Sequence, residues 1–315
     1  MAITIGPGLT ITGGLFFETG LIGPDPRGVF ASGLGTGLGN TIQYISITTL
    51  GNSADFGDLA ISSYGAGGCA SSTRGLFAGY EDNNSTVYYV TIASLGNSSN
   101  FGSLAQSRGD GPAGCNSDTR GLFAGGSSPA PINNIDYVTI ASTGNALDFG
   151  DLATAVRALA GCSSSTRGLF AGGYNAVGQR TSSISYVTIA STGDTTNFGN
   201  LMGAEAYFSG CSNATRGLFC GGGAVGDRIQ YVTIASTGNA TSFGDLTVSR
   251  EQTMSVSSST RACMAGGQAS GQTVNVIDYV TIATTGNAVD FGDLTYGSNG
   301  ARFGGFCSNT NGGTL

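Results

Sequence analysis

Two amino acids that carry much of enzyme chemistry, histidine and lysine, are missing from this chain. It has no histidine, and because all 12 of its basic residues are arginine it has no lysine; tryptophan is absent as well. Without histidine there can be no Ser-His-Asp or Cys-His arrangement and no histidine-ligated metal. Without lysine, Schiff-base chemistry and a P-loop are excluded. We therefore predict a protein that is not an enzyme and has no catalytic residues, no cofactor and no metal site.

Charge and proline are also scarce, whereas glycine is abundant. Only 10% of the 315 residues are charged and 6 are proline, against 55 glycines. Glycine is costly inside helices, so a helical protein is disfavoured, and a hydrophobic content of 40% argues against disorder. The glycines follow no three-residue period, which excludes collagen. An all-β, turn-rich fold remains.

The chain also lacks features that indicate particular partners and compartments. Its net charge of −7 and pI of about 4.4 argue against binding to nucleic acid. No run approaches the roughly 18 apolar residues of a membrane-spanning helix, so we predict no membrane span. The first residues have neither the positive charge nor the apolar core of a signal peptide.

An internal repeat is the main feature of what is present. One arginine, one tyrosine and one phenylalanine mark each of six copies. The arginines are Arg27, Arg74, Arg120, Arg167, Arg216 and Arg261. The tyrosines, 45 to 49 residues apart, are Tyr44, Tyr89, Tyr137, Tyr186, Tyr231 and Tyr279. The phenylalanines, each 12 residues after its tyrosine, are Phe56, Phe101, Phe149, Phe198, Phe243 and Phe291. Agreement among three markers establishes the six copies.

Each copy contains four short apolar segments separated by Gly, Asn and Ser turns, as in a four-stranded sheet. In the third segment, Ile135, Tyr137 and Thr139 point one way and Val138 and Ile140 the other. Both faces are therefore mostly apolar, which is typical of a sheet packed between two other sheets. We predict an all-β, six-bladed β-propeller of four-stranded blades, with the phenylalanine of the fourth strand filling the gap between neighbouring blades.

The pattern resembles kelch repeats. Kelch units carry a Gly-Gly doublet, a tyrosine and then an aromatic residue, usually tryptophan, at fixed spacing. Here Gly172-Gly173, Tyr186 and Phe198 hold those places, with phenylalanine where tryptophan is usual. The resemblance covers about residues 27 to 315. It implies the propeller fold and says little about function.

The two ends of the repeat region predict how the ring closes. The chain enters at Arg27-Gly28-Val29-Phe30, a second strand with no first strand before it. Residues 302–309 read as a first strand with no partner. We expect the two ends to complete one blade, which removes the last open sheet edge. The predicted domains are an N-terminal arm or anchoring segment, 1–26, and a propeller, 27–315.

The cysteines recur at one point of the first strand, where one copy has Val256 instead. They are Cys69, Cys115, Cys162, Cys211 and Cys307. Equivalent positions on different blades should lie too far apart for a disulfide, so we predict free, buried cysteines, Cys220 and Cys263 included. Such a chain is expected to fold in a reducing cytosol.

Two other recurring sets of charged residues have both a structural and a functional interpretation. The six repeat arginines invite comparison with the arginine cluster of sialidases, but each follows a turn of its own blade, so we predict a dispersed ring of packing residues. The carboxylates Asp58, Asp151, Asp245 and Asp293 alternate with Ser103 and Asn200 in other copies. That interchange indicates turn capping by short side chains, with calcium binding as the alternative.

The second-to-third loops and the linkers between blades vary among the copies and should share one face of the ring. This face is the candidate ligand-binding surface, with neutral drift of the loops as the alternative. The candidate residues are Tyr80, Glu81, Asp82, Asn83, Tyr174, Asn175, Gln179, Arg180, Gln268 and Gln272.

The repeat style and the Gly/Ile/Thr-rich start, Met-Ala-Ile-Thr-Ile-Gly-Pro-Gly, resemble repeat-rich virion structural proteins of marine bacteriophages, especially cyanophages. The resemblance implies a virion component, on a tail fibre or on the capsid surface, that folds in the host cytoplasm. Residues 1–26 would then bind other virion proteins, the variable face would bind a host-surface glycan or protein, and the chain could form a homo-oligomer on the particle.

Two alternatives stay open. A cellular kelch-type interaction module would work in the cytoplasm and bind a partner protein. A propeller hydrolase or lyase would need convergent carboxylates, or a tyrosine–carboxylate pair, in the central mouth, and the sequence shows no non-repeating cluster of that kind.

Overall fold

The computed structural model describes residues 3–4, 10–11, 26–31, 40–61, 65–80, 84–223, 226–295 and 305–308. These residues form six four-stranded antiparallel sheets. The inner strand of each sheet lies beside the inner strands of its two neighbours, so the sheets are blades around one axis. The predicted six-bladed β-propeller is confirmed. None of the described residues belongs to a helix long and apolar enough to cross a membrane.

Each blade runs from an inner strand at the axis to an outer strand at the rim, and blades are numbered 1 to 6 by their second strands. The inner strands are Gly305–Ser308, Gly67–Ala70, Ala113–Asn116, Ala160–Ser163, Ser209–Ser212 and Met254–Ser257. The second strands are Arg27–Ala31, Arg74–Ala78, Arg120–Ala124, Arg167–Ala171, Arg216–Cys220 and Arg261–Ala265. The third strands are Thr41–Ser46, Thr86–Thr91, Asn134–Thr139, Thr181–Thr188, Arg228–Thr233 and Val276–Thr281. The outer strands are Ala54–Asp58, Ser99–Ser103, Leu147–Asp151, Thr196–Glu205, Thr241–Asp245 and Val289–Asp293.

Blade 1 is assembled from segments far apart in the chain. Its second strand pairs with the third strand of the same repeat and, on its other side, with Gly305–Ser308, Val29 lying opposite Cys307. The predicted closure of the first blade by N- and C-terminal segments is confirmed. Of the predicted arm, the structure describes Pro26 and the antiparallel pair Ile3–Thr4 and Thr10–Ile11. Its anchoring role stays a prediction.

The core lies between the blades. In the third strand of blade 3, Ile135 packs against residues of blade 4, whereas Val138 packs against residues of blade 2. The predicted division of this strand into two apolar faces is therefore confirmed. Phe149 is buried among side chains of blade 4 and meets the Tyr137 ring edge-on at 6.0 Å. The equivalent pair recurs in all six blades, and the predicted plugging role of this phenylalanine is confirmed.

The repeat arginines join each blade to the next. Arg120 of blade 3 lies over the ring of Tyr137, 4.4 Å from its centroid, and donates a 2.8 Å hydrogen bond to the backbone oxygen of Ile189 in blade 4. The other five make the same two contacts, with centroid distances of 4.4 to 5.0 Å. They therefore form a dispersed ring, as predicted. Each links its blade to the next, and we call such a contact between blades a clip.

The rim has a second set of clips. The outer strand of blade 2 accepts a hydrogen bond at Phe101 O from Gly144 N, 2.8 Å, and donates one from Ser103 N to Asn145 Oδ1, 3.1 Å. Equivalent Asn or Asp side chains accept at the other five interfaces. Gly102 permits this approach, because a Cβ there would overlap the Gly144 carbonyl.

These contacts correct the interpretation of the recurring carboxylates. Asp58, Asp151, Asp245 and Asp293 do not cap through their side chains; their backbone N–H groups are the donors, and the capping side chain belongs to the turn of the next blade. The donor and acceptor roles are reversed because these residues lie on the outer strand, where their backbone N–H groups face the turn of the next blade. No group of three or more potential metal ligands occurs in the described part of the chain.

The inner-strand cysteines fill sockets in the neighbouring blade. A Cβ at Gly168 would lie 2.5 Å from Cys115 Sγ, so the glycine of the Arg-Gly motif makes room for the thiol. The same relation holds for Gly121 with Cys69 and Gly217 with Cys162. All six described cysteine side chains are free and buried, as predicted, and burial raises the pKa of the Cys115 thiol; the Cys307 side chain lies outside the described part.

Candidate functional site

The two faces of the ring differ in their connections. One face, the turn face, carries the first-to-second and third-to-fourth turns. The other, the linker face, carries the second-to-third loops and the linkers between blades. On the linker face, Arg157 of the linker into blade 4 pairs with Tyr174 of a loop, and Glu251 bridges to Gln268. For blades 3, 4 and 6, the prediction that the variable loops and linkers share one face is confirmed.

Four successive linkers contain a non-glycine residue in the left-handed region: Asp110, Ala158, Tyr207 and Gln252, with φ of 54°, 55°, 60° and 59°. Their backbones form a chain of hydrogen bonds, from Ala158 N to Asp110 O, 2.9 Å, from Tyr207 N to Ala158 O, 3.0 Å, and from Gln252 N to Tyr207 O, 2.6 Å. This conformation costs about 1–2 kcal/mol per residue, and such strain concentrates at functional sites. It holds residues from four blades together just before the inner strands.

An aromatic and charged cluster stands on this backbone. Arg157 is ion-paired with Asp110 and donates to the Tyr207 hydroxyl at 2.9 Å. The rings of Tyr174 and Tyr207 meet edge-on, with centroids 5.5 Å apart. Such a tyrosine–carboxylate cluster was not expected from the sequence, because its members come from different repeats.

The electrostatics of the cluster keep it in one protonation state. Burial raises the pKa of Tyr207, and the Asp110 carboxylate raises it further. Partial burial lowers the pKa of Arg157, but Asp110 and the hydrogen bonds outweigh it and the net shift is upward. The phenol therefore stays protonated and the guanidinium charged, so the arrangement is suited to holding a shape rather than to generating a nucleophile.

A cavity of about 410 Å³ lies beside this cluster on the linker face, formed by blades 4, 5 and 6. Its polar lining consists of Arg180, Ser249, Arg250, Glu251, Gln268 and Ser270. Its volume falls within the range of about 300–1,000 Å³ for small-ligand sites, but it is open to solvent and its lining is polar, whereas such sites are mostly lined by apolar side chains.

Two opposite charges face each other in this cavity across Gly223. A Cβ on Gly223 would lie 2.7 Å from both Arg180 Nη2 and Glu251 Oε2. The Arg180 guanidinium lies 5.6 Å from the centroid of Tyr174, and its buried Nε has no hydrogen-bond partner among the described residues. No ion pair of Arg180 or Glu251 exists within the described ranges. One ligand could therefore receive hydrogen bonds from the arginine and donate to the carboxylate.

The predicted surface residues fall into three groups. Arg180 and Gln268 line the cavity, and Tyr174 supports it from below. Asn175 caps its own loop through Oδ1, which accepts from Val177 N at 3.1 Å and Gln179 N at 2.9 Å. The remaining loop residues that can be placed, Gln179 and Gln272, are exposed at the loop tips.

Tyr80 does not lie on the surface, which corrects its assignment as a surface candidate. Its side chain is fully buried, and its hydroxyl donates to Phe77 O at 3.3 Å. It occupies the second position of the Gly-Gly doublet, at the end of a strand, and its ring packs edge-on against Tyr88. Glu81, Asp82 and Asn83 lie outside the described residues.

Six contributors were not predicted: Asp110, Arg157, Tyr207, Ser249, Arg250 and Glu251. All six belong to blade linkers rather than to loops. The signal that could have found them is their place a few residues before an inner strand, since inner strands surround the axis and the segments that enter them must converge.

Among the inner strands whose side chains are described, those of blades 2 to 6, the axis carries a hydrogen-bonded collar. Asn116, Ser163 and Ser212 accept from the backbone of the preceding blade, as in Ser163 N to Ser212 Oγ at 3.2 Å. The space they surround is about 50 Å³ and includes the buried Ser255 hydroxyl. A polar space of this size suits water.

Comparison with known protein families and with curated proteins finds no match to this chain. The six-bladed fold is therefore established by the structure alone.

Proposed function

We propose that this protein is a non-enzymatic virion component whose linker face binds a saccharide of the host cell surface. The observation that carries the binding role is the contrast between the two faces. The turn face repeats the same clips six times, and its space of about 430 Å³ is lined by the repeated turn 117–120 and its neighbours, whereas the pair Arg180 and Glu251 flanks a cavity and does not recur among the described residues of the other copies. A regular scaffold that holds one irregular polar site is the usual arrangement in binding modules.

The ligand class follows from the donors and acceptors in the cavity. Arg180 offers a planar donor fork, Glu251 an acceptor, and the hydroxyls of Ser249 and Ser270 can do either. A molecule with many hydroxyl groups satisfies all of these at once. Glycine at positions 222, 223, 226 and 271 keeps the walls low enough for a ring-shaped ligand.

Placement on a virion is supported by the resemblance to phage structural proteins described above. The Tyr207–Arg157–Asp110 cluster is of the kind that the hydrolase alternative requires. The cluster is suited to supporting the binding site rather than to catalysis. Asp110 is ion-paired with Arg157, and the raised pKa of Tyr207 keeps its phenol protonated.

The saccharide site predicts a charge-dependent loss of binding. The Glu251→Gln variant should bind host-surface oligosaccharide about ten- to a hundredfold more weakly, because a hydrogen bond to a charged group contributes about 1.5–3 kcal/mol. Titration calorimetry with fractionated surface oligosaccharides measures the change.

The matched control is Asp55→Asn, which removes the same charge from an exposed position on the outer strand Ala54–Asp58 of blade 1, outside the three blades that form the cavity. It should bind like the wild type. Equal losses in both variants would assign binding to overall charge, and release of shorter fragments from the oligosaccharide would replace the binding role by the hydrolase alternative.

The virion role predicts where the protein is found in infected material. Immunogold electron microscopy with antibody against the folded propeller should label particles, at fibre tips for an adhesin or over the head for a capsid decoration. Labelling of cells with bare particles would discard the virion role and favour the cellular interaction module.

A further inference from the structure

One position in the blade linkers has the same backbone contact in successive blades but a different side chain. Val156 O accepts from Gly126 N at 3.0 Å, Glu205 O from Gly173 N at 2.8 Å, and Arg250 O from Gly222 N at 3.2 Å. Each lies two residues before the left-handed residue of its linker, as Arg108 does. The four residues therefore enter equivalent spaces between blades.

In blade 3 this space holds a guanidinium. Arg108 Nη1 donates to the backbone oxygens of Phe123, Gly125 and Asn134 at 3.1, 3.3 and 3.1 Å. Its Nη2 lies 2.6 Å from Asp136 Oδ2, and both side chains are buried.

Blade 6 repeats the arrangement. Arg250 Nη2 donates to Met264 O at 3.1 Å, and Arg250 Nη1 lies 2.9 Å from Asp278 Oδ2. Two blades thus share the guanidinium–carboxylate pair and one carbonyl contact, Phe123 O in blade 3 and Met264 O in blade 6.

In blade 4 the same space is a cavity of about 130 Å³. Val156 replaces the arginine and Ser185 replaces the aspartate. The lining contains Phe170, Gly172 and Ser183, whose counterparts in blade 3 supply the three carbonyl acceptors. The exposed residues Ala153 and Thr154 also line it, so the cavity reaches the surface.

We infer that this blade 4 cavity is a binding site for a neutral planar N–H donor with an apolar body, such as a primary carboxamide on an aromatic ring. The carbonyl edge that binds guanidinium in blade 3 is retained. The walls of the cavity are mostly apolar, from Leu152, Val156, Leu159, Phe170 and Ile184. This inference is independent of the saccharide site.

The ligand of the blade 4 cavity should be neutral, because Ser185 stands where blade 3 has Asp136. Burying a cation without a counter-ion is strongly unfavourable, and Ser185 offers only a hydroxyl. A carboxamide keeps the planar N–H donors of a guanidinium and carries no charge. The volume is close to that of an engineered apolar cavity of about 150 Å³ that binds benzene, so a single ring fits.

Benzamide is the probe that tests the site, with benzene and benzamidine as the matched apolar and cationic probes. Benzamide should raise Tm saturably and bind about tenfold or more tightly than benzene, the ratio expected for one net hydrogen bond. Chemical-shift changes in protein labelled at Ile, Leu and Val methyl groups should centre on Leu152, Val156, Leu159 and Ile184.

Two variants serve as controls. Val156→Arg/Ser185→Asp installs the pair of blades 3 and 6, and Val156→Phe fills the space without charge; circular dichroism verifies the fold of each. Both should weaken benzamide binding at least about tenfold, because each occupies the volume of one ring. The inference would be overturned by equal binding of benzene and benzamide, or by tighter binding of benzamidine. It would also be overturned if benzamide did not bind to the wild type, or if it bound undiminished to a folded variant in which the cavity is filled.

Discussion

The Gly114→Ala variant is expected to lose about 2–3 kcal/mol of unfolding free energy, the upper range for overpacking of a well-packed core. Gly114 lies on the inner strand of blade 3, and a Cβ there would overlap Gly68 O and lie 2.6 Å from Gly68 C. The obstacle is the backbone of the neighbouring inner strand, so no rotamer change relieves it. Urea unfolding monitored by tyrosine fluorescence measures the difference.

The matched control is Gly144→Ala, which adds the same methyl group at a turn of the same blade where nothing lies within 4 Å. Its unfolding free energy should stay within about 0.5 kcal/mol of the wild type. Similar losses in both variants would mean that the loss at Gly114 does not come from contact between inner strands, since the effect of Gly→Ala on the unfolded chain is stabilising. Ser255 holds the position equivalent to Gly114 in blade 6, so the expected loss is specific to interfaces where the neighbouring backbone approaches this closely.

The repeated features of the fold could be predicted because six copies report on the same environment. The Phe–Tyr contact, the arginine ring and the cysteine positions each recur at equivalent register, so period and alternation were enough to place them. Closure followed from a strand missing at one end and present at the other.

The candidate site could be predicted only in part, because its linkers are out of register. The left-handed residue lies five positions before Cys115 in one linker, Asp110, but four before Cys162 in the next, Ala158. An ungapped alignment of the repeats on these cysteines does not bring Arg108 and Val156 to one position. Their equivalence appears only through the hydrogen bonds that the linkers make to neighbouring blades.

The second large expected effect concerns the buried Arg108–Asp136 pair of blade 3, which can be replaced by the residues that blade 4 has at the equivalent positions. Asp136→Ser leaves the Arg108 guanidinium buried without its counter-ion and should cost about 3–5 kcal/mol. Burial lowers the pKa of Arg108 and raises that of Asp136, so desolvation opposes both charged forms. The charged pair is therefore stabilising only while both members are present.

The Arg108→Val/Asp136→Ser double variant, which installs the residues of blade 4 in blade 3, should be more stable than the Asp136→Ser single variant. The second substitution removes the unpaired charge and leaves a cavity like that between Val156 and Ser185, and a cavity of this kind costs less than a buried lone ion. A double-mutant cycle by urea unfolding should give a coupling energy of about 2 kcal/mol or more. Additive losses would show that Arg108 is held by the carbonyls of Phe123, Gly125 and Asn134 rather than by Asp136. In that case the carbonyl edge alone can seat a cation, and the assignment of the blade 4 cavity to neutral ligands would lose its main support.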